Sequence, residues 1–462
     1  MRNDKIYLLI CLVWICGCTS KEQFYEEVGL SRQQAYRQWE SRKQAKKQSQ
    51  VSINGKLSVE DCLKLTLSNN KMLERIAEEK QVARGEEMKS LSAILPSAAI
   101  ASDYTRLDKV GSLGTITFGS VDTYSAELVV SQPVFAGGSI EAELDRGKLL
   151  VLFADEAVRG AVEDVIYEAQ RTYYDVLLNQ HLYQISVEAV RSSQAHLDDV
   201  KAKRSAGMAS DFDVLRAQVE LSNFKADLIR NQNAIKISKA ELLKVMGVSQ
   251  DSDVVLSDEL TYSSFEISME EAVKIAFTNR PDLFQRQFDI KIQEQLVKIA
   301  RSKFWPSVSG FYSNHWSRPD PHASTDIGWG QAWSAGARAN FTLFDGFSRE
   351  GEVIVQKAKL KQSQIDLIDT EETVLFELTR ALFSIEDADE FVQSQKLNLE
   401  RAQEASRLAD VGYKEGINTQ VEVIDAESAS TEARSLYYQA IYSHIISKLN
   451  LHKAMGVLVN YK

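Results

Sequence analysis

Few residues of this 462-residue chain are of a type and spacing that could do chemistry. The six histidines, His181, His196, His315, His322, His444 and His452, form no pair at metal-ligand spacing, and no phosphate-cradling glycine loop or nucleophile elbow accompanies them. No catalytic residue, metal site or cofactor is therefore expected. His315 and His322 could visit a metal in a loop region, but loop polarity explains them as well. Met208, Met246 and Met455 are too scattered for a copper path. Cys11, Cys16 and Cys18 crowd one end while Cys62 stands alone, which makes neither a disulfide framework nor a zinc site. What remains is the thiol of Cys18 and a pair of carboxylates, Glu422 and Asp425, whose three-residue spacing puts both on one face of a helix. That spacing also suits a solvated helix face.

The surroundings of Cys18 read as an export signal. Arg2 and Lys5 precede an apolar run at 6–15, and the small residue Gly17 comes just before the cysteine. Such a run is too short to span a bilayer as a stable helix. Ile15-Cys16-Gly17-Cys18 resembles a bacterial lipobox, in which the cysteine takes a covalent lipid (palmitate among its acyl chains) and becomes the first residue of the mature chain. Residues 1–17 are then the signal peptide and 18–56 a lipid-anchored N-terminal segment. Thr19, rather than an aspartate, follows the cysteine, which in such lipoproteins implies sorting to the outer membrane. An ordinary signal peptide with a chance cysteine is the alternative.

Composition narrows the partners. At 44% hydrophobic and 26% charged, the chain is neither disordered nor a polytopic helical membrane protein. A net charge of −11 argues against nucleic acid, which selects a basic surface. All six prolines fall within 96–133 and 281–321, leaving 134–280 and 322–462 without one. Long uninterrupted elements are expected there.

The chain also repeats itself. Leu57-Ser58-Val59-Glu60-Asp61 aligns with Ile267-Ser268-Met269-Glu270-Glu271 at an offset of 210, and Pro96-Ser97 with Pro306-Ser307. Val134-Phe135-Ala136-Gly137 aligns with Leu343-Phe344-Asp345-Gly346 at 209, and eight of the twelve residues at 237–248 recur at 446–457. This predicts a tandem duplication: repeat 1 at 57–248, a linker at 249–266, repeat 2 at 267–457 and a tail at 458–462. Its period is too long for a solenoid.

Each repeat opens with helices, the first in capping-box form at Ser58-x-x-Asp61 and Ser268-x-x-Glu271. The period then drops to two. Strands are predicted at about 97–105, 124–135, 307–317 and 333–344, long enough to cross a ~30 Å hydrocarbon layer when tilted. Trp305, Trp316, Trp329 and Trp333 cluster around the second hairpin, as in an interfacial girdle, although a soluble sandwich also carries aromatics. After each hairpin a helical period returns, over 139–205 and 348–411. About 64 residues at ~1.5 Å each make roughly 100 Å. Both helices end at a glycine turn, Gly207 or Gly416, and a return helix follows to Met246 or Met455.

Bilayer strands must have every edge paired. Four cannot close into a barrel, whereas three chains supply twelve. Here the residues resemble the TolC-like outer membrane efflux protein family, lipoprotein type, over essentially the whole mature chain. The resemblance rests on the duplicated order, Leu343-Phe344-Asp345-Gly346, the tip Gly416-Ile417-Asn418-Thr419 and the Met-Gly-Val repeat ends. It implies a mainly α fold with a membrane β-barrel portion: a homotrimer whose twelve-stranded barrel continues into a periplasmic α-helical, coiled-coil-like tunnel. It also implies an outer-membrane channel that passively exports small molecules received from a periplasmic adaptor (membrane fusion) protein and an inner-membrane pump. By the resemblance, Glu422 and Asp425 form two stacked acidic rings at a periplasmic gate, with Asp213 and Arg216 as their repeat-1 counterparts and Arg216 a candidate partner for an acidic residue. The turns Gly207-Met208-Ala209-Ser210 and Gly416-Ile417-Asn418-Thr419 would meet the adaptor, a role compatible with simple helix capping. Two other functions stay open: a periplasmic spacer or adaptor built on helical hairpins, and the outer-membrane duct of a type I protein secretion system.

Overall fold

A computed structural model describes residues 36–41, 56–113, 116–118, 120–320, 322 and 328–460. The expected signal peptide, Cys18 and most of the expected N-terminal segment lie outside the described residues, as do 461 and 462 of the tail. Repeat 1 comprises β1 (Lys56–Leu57), α1 (Val59–Asn69), α2 (Lys71–Leu91), β2 (Ser97–Arg106), the short β3 (Gly111–Leu113) and β4 (Ile116–Phe118), β5 (Asp122–Ala136), α3 (Ser139–Ser205) and α4 (Asp211–Val245). After β6 (Val255–Leu256), repeat 2 follows the same plan with α5 (Met269–Asn279), α6 (Pro281–Ser302), β7 (Ser307–Arg318), β8 (Gly330–Asn340), α7 (Ser348–Lys414) and α8 (Gln420–Met455). The linker strand β6 pairs in parallel with β1.

β2, β5, β7 and β8 form one antiparallel sheet in that order. Cross-strand partners point to the same face. The register sets Ile100 opposite Leu128, Val130 opposite Tyr312, Ala126 opposite Trp316 and Tyr312 opposite Ala335, so most of the large apolar residues share one side, while Val129 and Phe311 lie on the other. Glu127, paired with His315, belongs to the other side with Asp103 and Arg338. Neither face of β2 is covered, and almost none of β8. β8 ends at Asn340, short of the expected 344, because Asn340 pairs with Ser307, the first residue of β7. Pro306 stands before Ser307 and has no N–H to extend the ladder. Aromatics gather at both ends of the strands, Tyr104, Tyr124 and Trp329 toward the loops and Trp305, Phe341 and Phe344 toward the helices.

The two repeats build equivalent cores at their helical ends. Cys62 and Leu242 are buried together in the first, Ala272 and Leu451 at the matching places in the second. Burial pushes the Cys62 thiol up to about 12, so it acts as a small apolar group. Ser58 and Ser268 accept from the N–H of Asp61 and Glu271, each at 3.2 Å, which makes the serine half of the expected boxes.

At each helical junction, one helix stacks end to end on another. Asn70 accepts from the N–H of Met72 at the start of α2 and donates to the Val245 carbonyl at the end of α4, at 2.8 Å. In repeat 2 the counterpart is Arg280, which donates to the Ala454 carbonyl at 3.1 Å and pairs with Asp282 and Glu377, both at 2.6 Å. The same joint is made by a neutral amide in one repeat and a guanidinium in the other.

Candidate functional site

The predicted gate and docking residues gather at the far ends of the helical hairpins. In repeat 1, Gly207 at φ +73° turns the chain, and the Met208 N–H returns to the Lys203 carbonyl at 2.8 Å. In repeat 2, Gly416 at φ +74° does the same, with Ile417 N–H on the Gly412 carbonyl at 2.7 Å. Both are left-handed C-terminal caps, a conformation glycine adopts without Cβ strain.

The next residues start the return helices, and here the structure gives the acids a further role. Ser210 and Asp213 form a complete capping box: the Asp213 carboxylate accepts from the Ser210 N–H at 2.8 Å and hydroxyl at 2.7 Å, while the Asp213 N–H donates to the Ser210 hydroxyl oxygen. Those bonds hold the Asp213 carboxyl below its usual range. Thr419 and Glu422 repeat the box, with the Thr419 N–H 2.7 Å from the Glu422 carboxylate. The signals, Ser210-x-x-Asp213 and Thr419-x-x-Glu422, are present in the sequence, where the same acids also suit a pore ring or, for Glu422, a solvated helix face.

Asp425 is exposed, Arg216 is half-buried, and within the described residues neither makes an ion pair. The pairing of Arg216 with a gate acid is therefore not made inside one chain. The two tips do touch: Gln420 donates to the Asp213 carbonyl at 2.9 Å, and Ser428 to the Glu220 carboxylate at 2.9 Å. Between the tips and the joints, Lys203 lies 3.5 Å from the centre of the Tyr413 ring, with His196 beside that ring and its pKa lowered by burial. Met208, Phe212, Leu215 and Val219 leave an apolar stripe exposed at the repeat-1 tip, and Ile417 an exposed side chain at the other. The other histidines stand apart: His444 is buried against Tyr262, His452 against Phe265, His181 stacks on Tyr438, and His322 lies beside Asp320. Among the described residues no three His, Cys, Asp or Glu side chains come together as a metal cluster. Nor is any described helix long and apolar enough to cross a membrane.

A duplicated chain with an uncovered four-stranded sheet at one end and helices of 67 residues at the other defines a narrow class. The sequence model of the outer membrane efflux protein family matches residues 62–248 and again 272–457. The chain belongs to that family. It is 21% identical over 346 residues to the probable efflux pump outer membrane protein TtgC of Pseudomonas putida, covering 73% of this chain and 70% of that protein. It is 19% identical over 312 residues to the cation efflux system protein CusC of Escherichia coli, covering 66% of each. Among solved structures, the outer membrane protein VceC of Vibrio cholerae superposes with a TM-score of 0.76 at 16% identity, over 86% of this chain and 96% of that one.

Proposed function

We propose that three copies of this chain form an outer-membrane channel, the passive outer duct of a tripartite efflux system that receives small molecules from an inner-membrane pump and a periplasmic adaptor. The observation that carries this reading is the sheet. It has one mainly apolar face, one mainly polar face and outer edges on β2 and β8 that no other strand of the described chain pairs. Exposed edges are costly in lipid, where no water replaces the missing partner. Pairing β8 of one copy with β2 of the next removes them, and three copies give a barrel above the eight-strand minimum. The apolar face then meets hydrocarbon between two aromatic belts, while Asp103, Glu127, His315 and Arg338 line the water-filled side.

The duplication supports the same ring in the helical part. α6 lies between α3 and α7, whereas its counterpart α2 packs chiefly on α3. Ile292 of α6 is 7% exposed, but the matching Val82 of α2 is 66% exposed. α7 in turn leaves Ile365, Ile368, Phe376 and Phe383 uncovered. Seating the open side of α2 on the α7 of the next copy repeats around the ring the packing that α6 already makes within the chain. A lipid on Cys18 would anchor each copy. Asp425 and Glu422 would ring the narrow periplasmic end, favouring cations, and the glycine tips would meet the adaptor.

The chain purified in detergent is expected to be a trimer that gives discrete ion conductance in a planar bilayer. A water-soluble, non-conducting monomer would overturn the reading. For the lipid, the intact mass of the mature protein should exceed its sequence mass by acyl chains that Cys18→Ser lacks.

A further inference from the structure

A cavity of about 630 Å³ opens at the joint where α6 meets the end of α8. Met72 and Ile76 of α2, Ala161 of α3, Pro281 of α6 and Ala381 of α7 give it apolar walls. Glu163 of α3 also lines it, is only 6% exposed, and makes no hydrogen bond or ion pair among the described residues. Most of the charges around it are paired elsewhere. Arg280 is held by Asp282 and Glu377, and Lys453 by Asp164 at 2.8 Å. Arg159 pairs with Glu156 at 3.2 Å, and Arg380, on the exposed side of α7, lies over the Phe376 ring. One carboxylate is left without an ion-pair partner among the described residues, in a space of mixed polar and apolar walls large enough for a small organic molecule.

We propose that this cavity binds a lipophilic monocation, an organic ammonium whose charge pairs with Glu163 while its apolar body fills the space between α2, α3, α6 and α7. A bound anion would have to lie against the Glu163 carboxylate, and of the cavity's cations Arg280 and Lys453 are already paired with acids, leaving only the exposed Arg380 to receive it. Burial pushes the Glu163 carboxyl up to about 7; Arg159 and Arg280 pull it back, and Asp164 and Asp282 push it further up. Of the remaining charges, Glu377 and Arg380 face the cavity from α7 and Lys453 from α8. A cation favours the ionised carboxylate, so affinity must fall as pH drops below that value.

The test uses the full chain in detergent and rhodamine 6G, a fluorescent lipophilic monocation, followed by fluorescence polarisation. Saturable binding of one equivalent per chain is expected at pH 8, roughly tenfold weaker at pH 6, where about a tenth of the carboxylate is ionised. Glu163→Gln is expected to weaken binding at pH 8 by at least about tenfold and to remove the pH dependence. Gly160→Leu fills the space while keeping the carboxylate, and a Cβ there meets Pro281 only at an ordinary 3.6 Å. It should weaken binding as much and carries the test should Glu163→Gln fail to fold. Binding at wild-type strength by the variants, or uptake that never saturates, overturns the site. Either result leaves the conductance test of the channel untouched.

Discussion

Glu422 and Asp425 sit one helical turn apart and are tied differently, since the first closes a capping box on Thr419 while the second is exposed with no ion pair among the described residues. Their substitutions should therefore separate. Asp425→Asn is expected to weaken cation preference, read as a shift of reversal potential in a salt gradient, with the tip helix intact. Glu422→Gln should act likewise, because glutamine can keep the box, whereas Glu422→Ala also loses about 1 kcal/mol of local stability, read by amide exchange at the tip. Equal effects from Ala and Gln at 422 would remove the cap from the account. Glu163 gives a second prediction, with its sign set by burial. Its carboxyl stands above the unfolded value, so its contribution to stability is full below about 4.5 and is lost as pH rises through about 7. Glu163→Gln should accordingly raise stability by about 1–3 kcal/mol at pH 8 and by little at pH 5, measured by thermal unfolding in detergent.

At the scale of elements, the stacked joints bring two stretches of backbone into close approach. Gly247, at φ +68°, lies against the Asn69 backbone, and a Cβ there would fall on the Asn69 carbonyl oxygen. Gly207 has a similar φ with open space around it. Gly247→Ala is therefore expected to cost more than about 2 kcal/mol and Gly207→Ala about 1, compared by melting in the same detergent. Much of this level was legible in the residues. Alternation marked the strands because one face of the sheet is apolar, and the return to a helical period marked α3 and α7. The fourth strand was over-extended because Phe341 and Leu343 continue the alternation beyond the point where β7 can pair, a limit that belongs to the partner strand. The glycine turns are legible as helix ends, yet a capping box and an acidic ring use the same residues, so the pattern alone does not separate the two roles of their acids. The cavity could not be foreseen: its walls come from five helices spread between Met72 and Ala454, and nothing local in any of them marks a void.

For the whole molecule, the decisive contrast lies between matched positions of the two repeats. Ile292 is buried inside one chain and Val82 is exposed. Val82→Asp is thus expected to leave a folded chain that fails to trimerise, seen as a loss of two-thirds of the particle mass in detergent. Ile292→Asp should damage the chain itself by burying a charge. A trimeric Val82→Asp would move the subunit contact elsewhere. The equality of the long helices has a further consequence. α3 and α7 both run 67 residues, and α4 and α8 run 35 and 36, so in a ring of three all six tips end at nearly one depth. A heptad inserted into one long helix alone would drop three tips by about 10 Å and leave a stepped rim. Any change of reach must then enter both halves in step, through descending and returning helices alike. Duplication, having supplied the walls, also limits how such a chain can change its length.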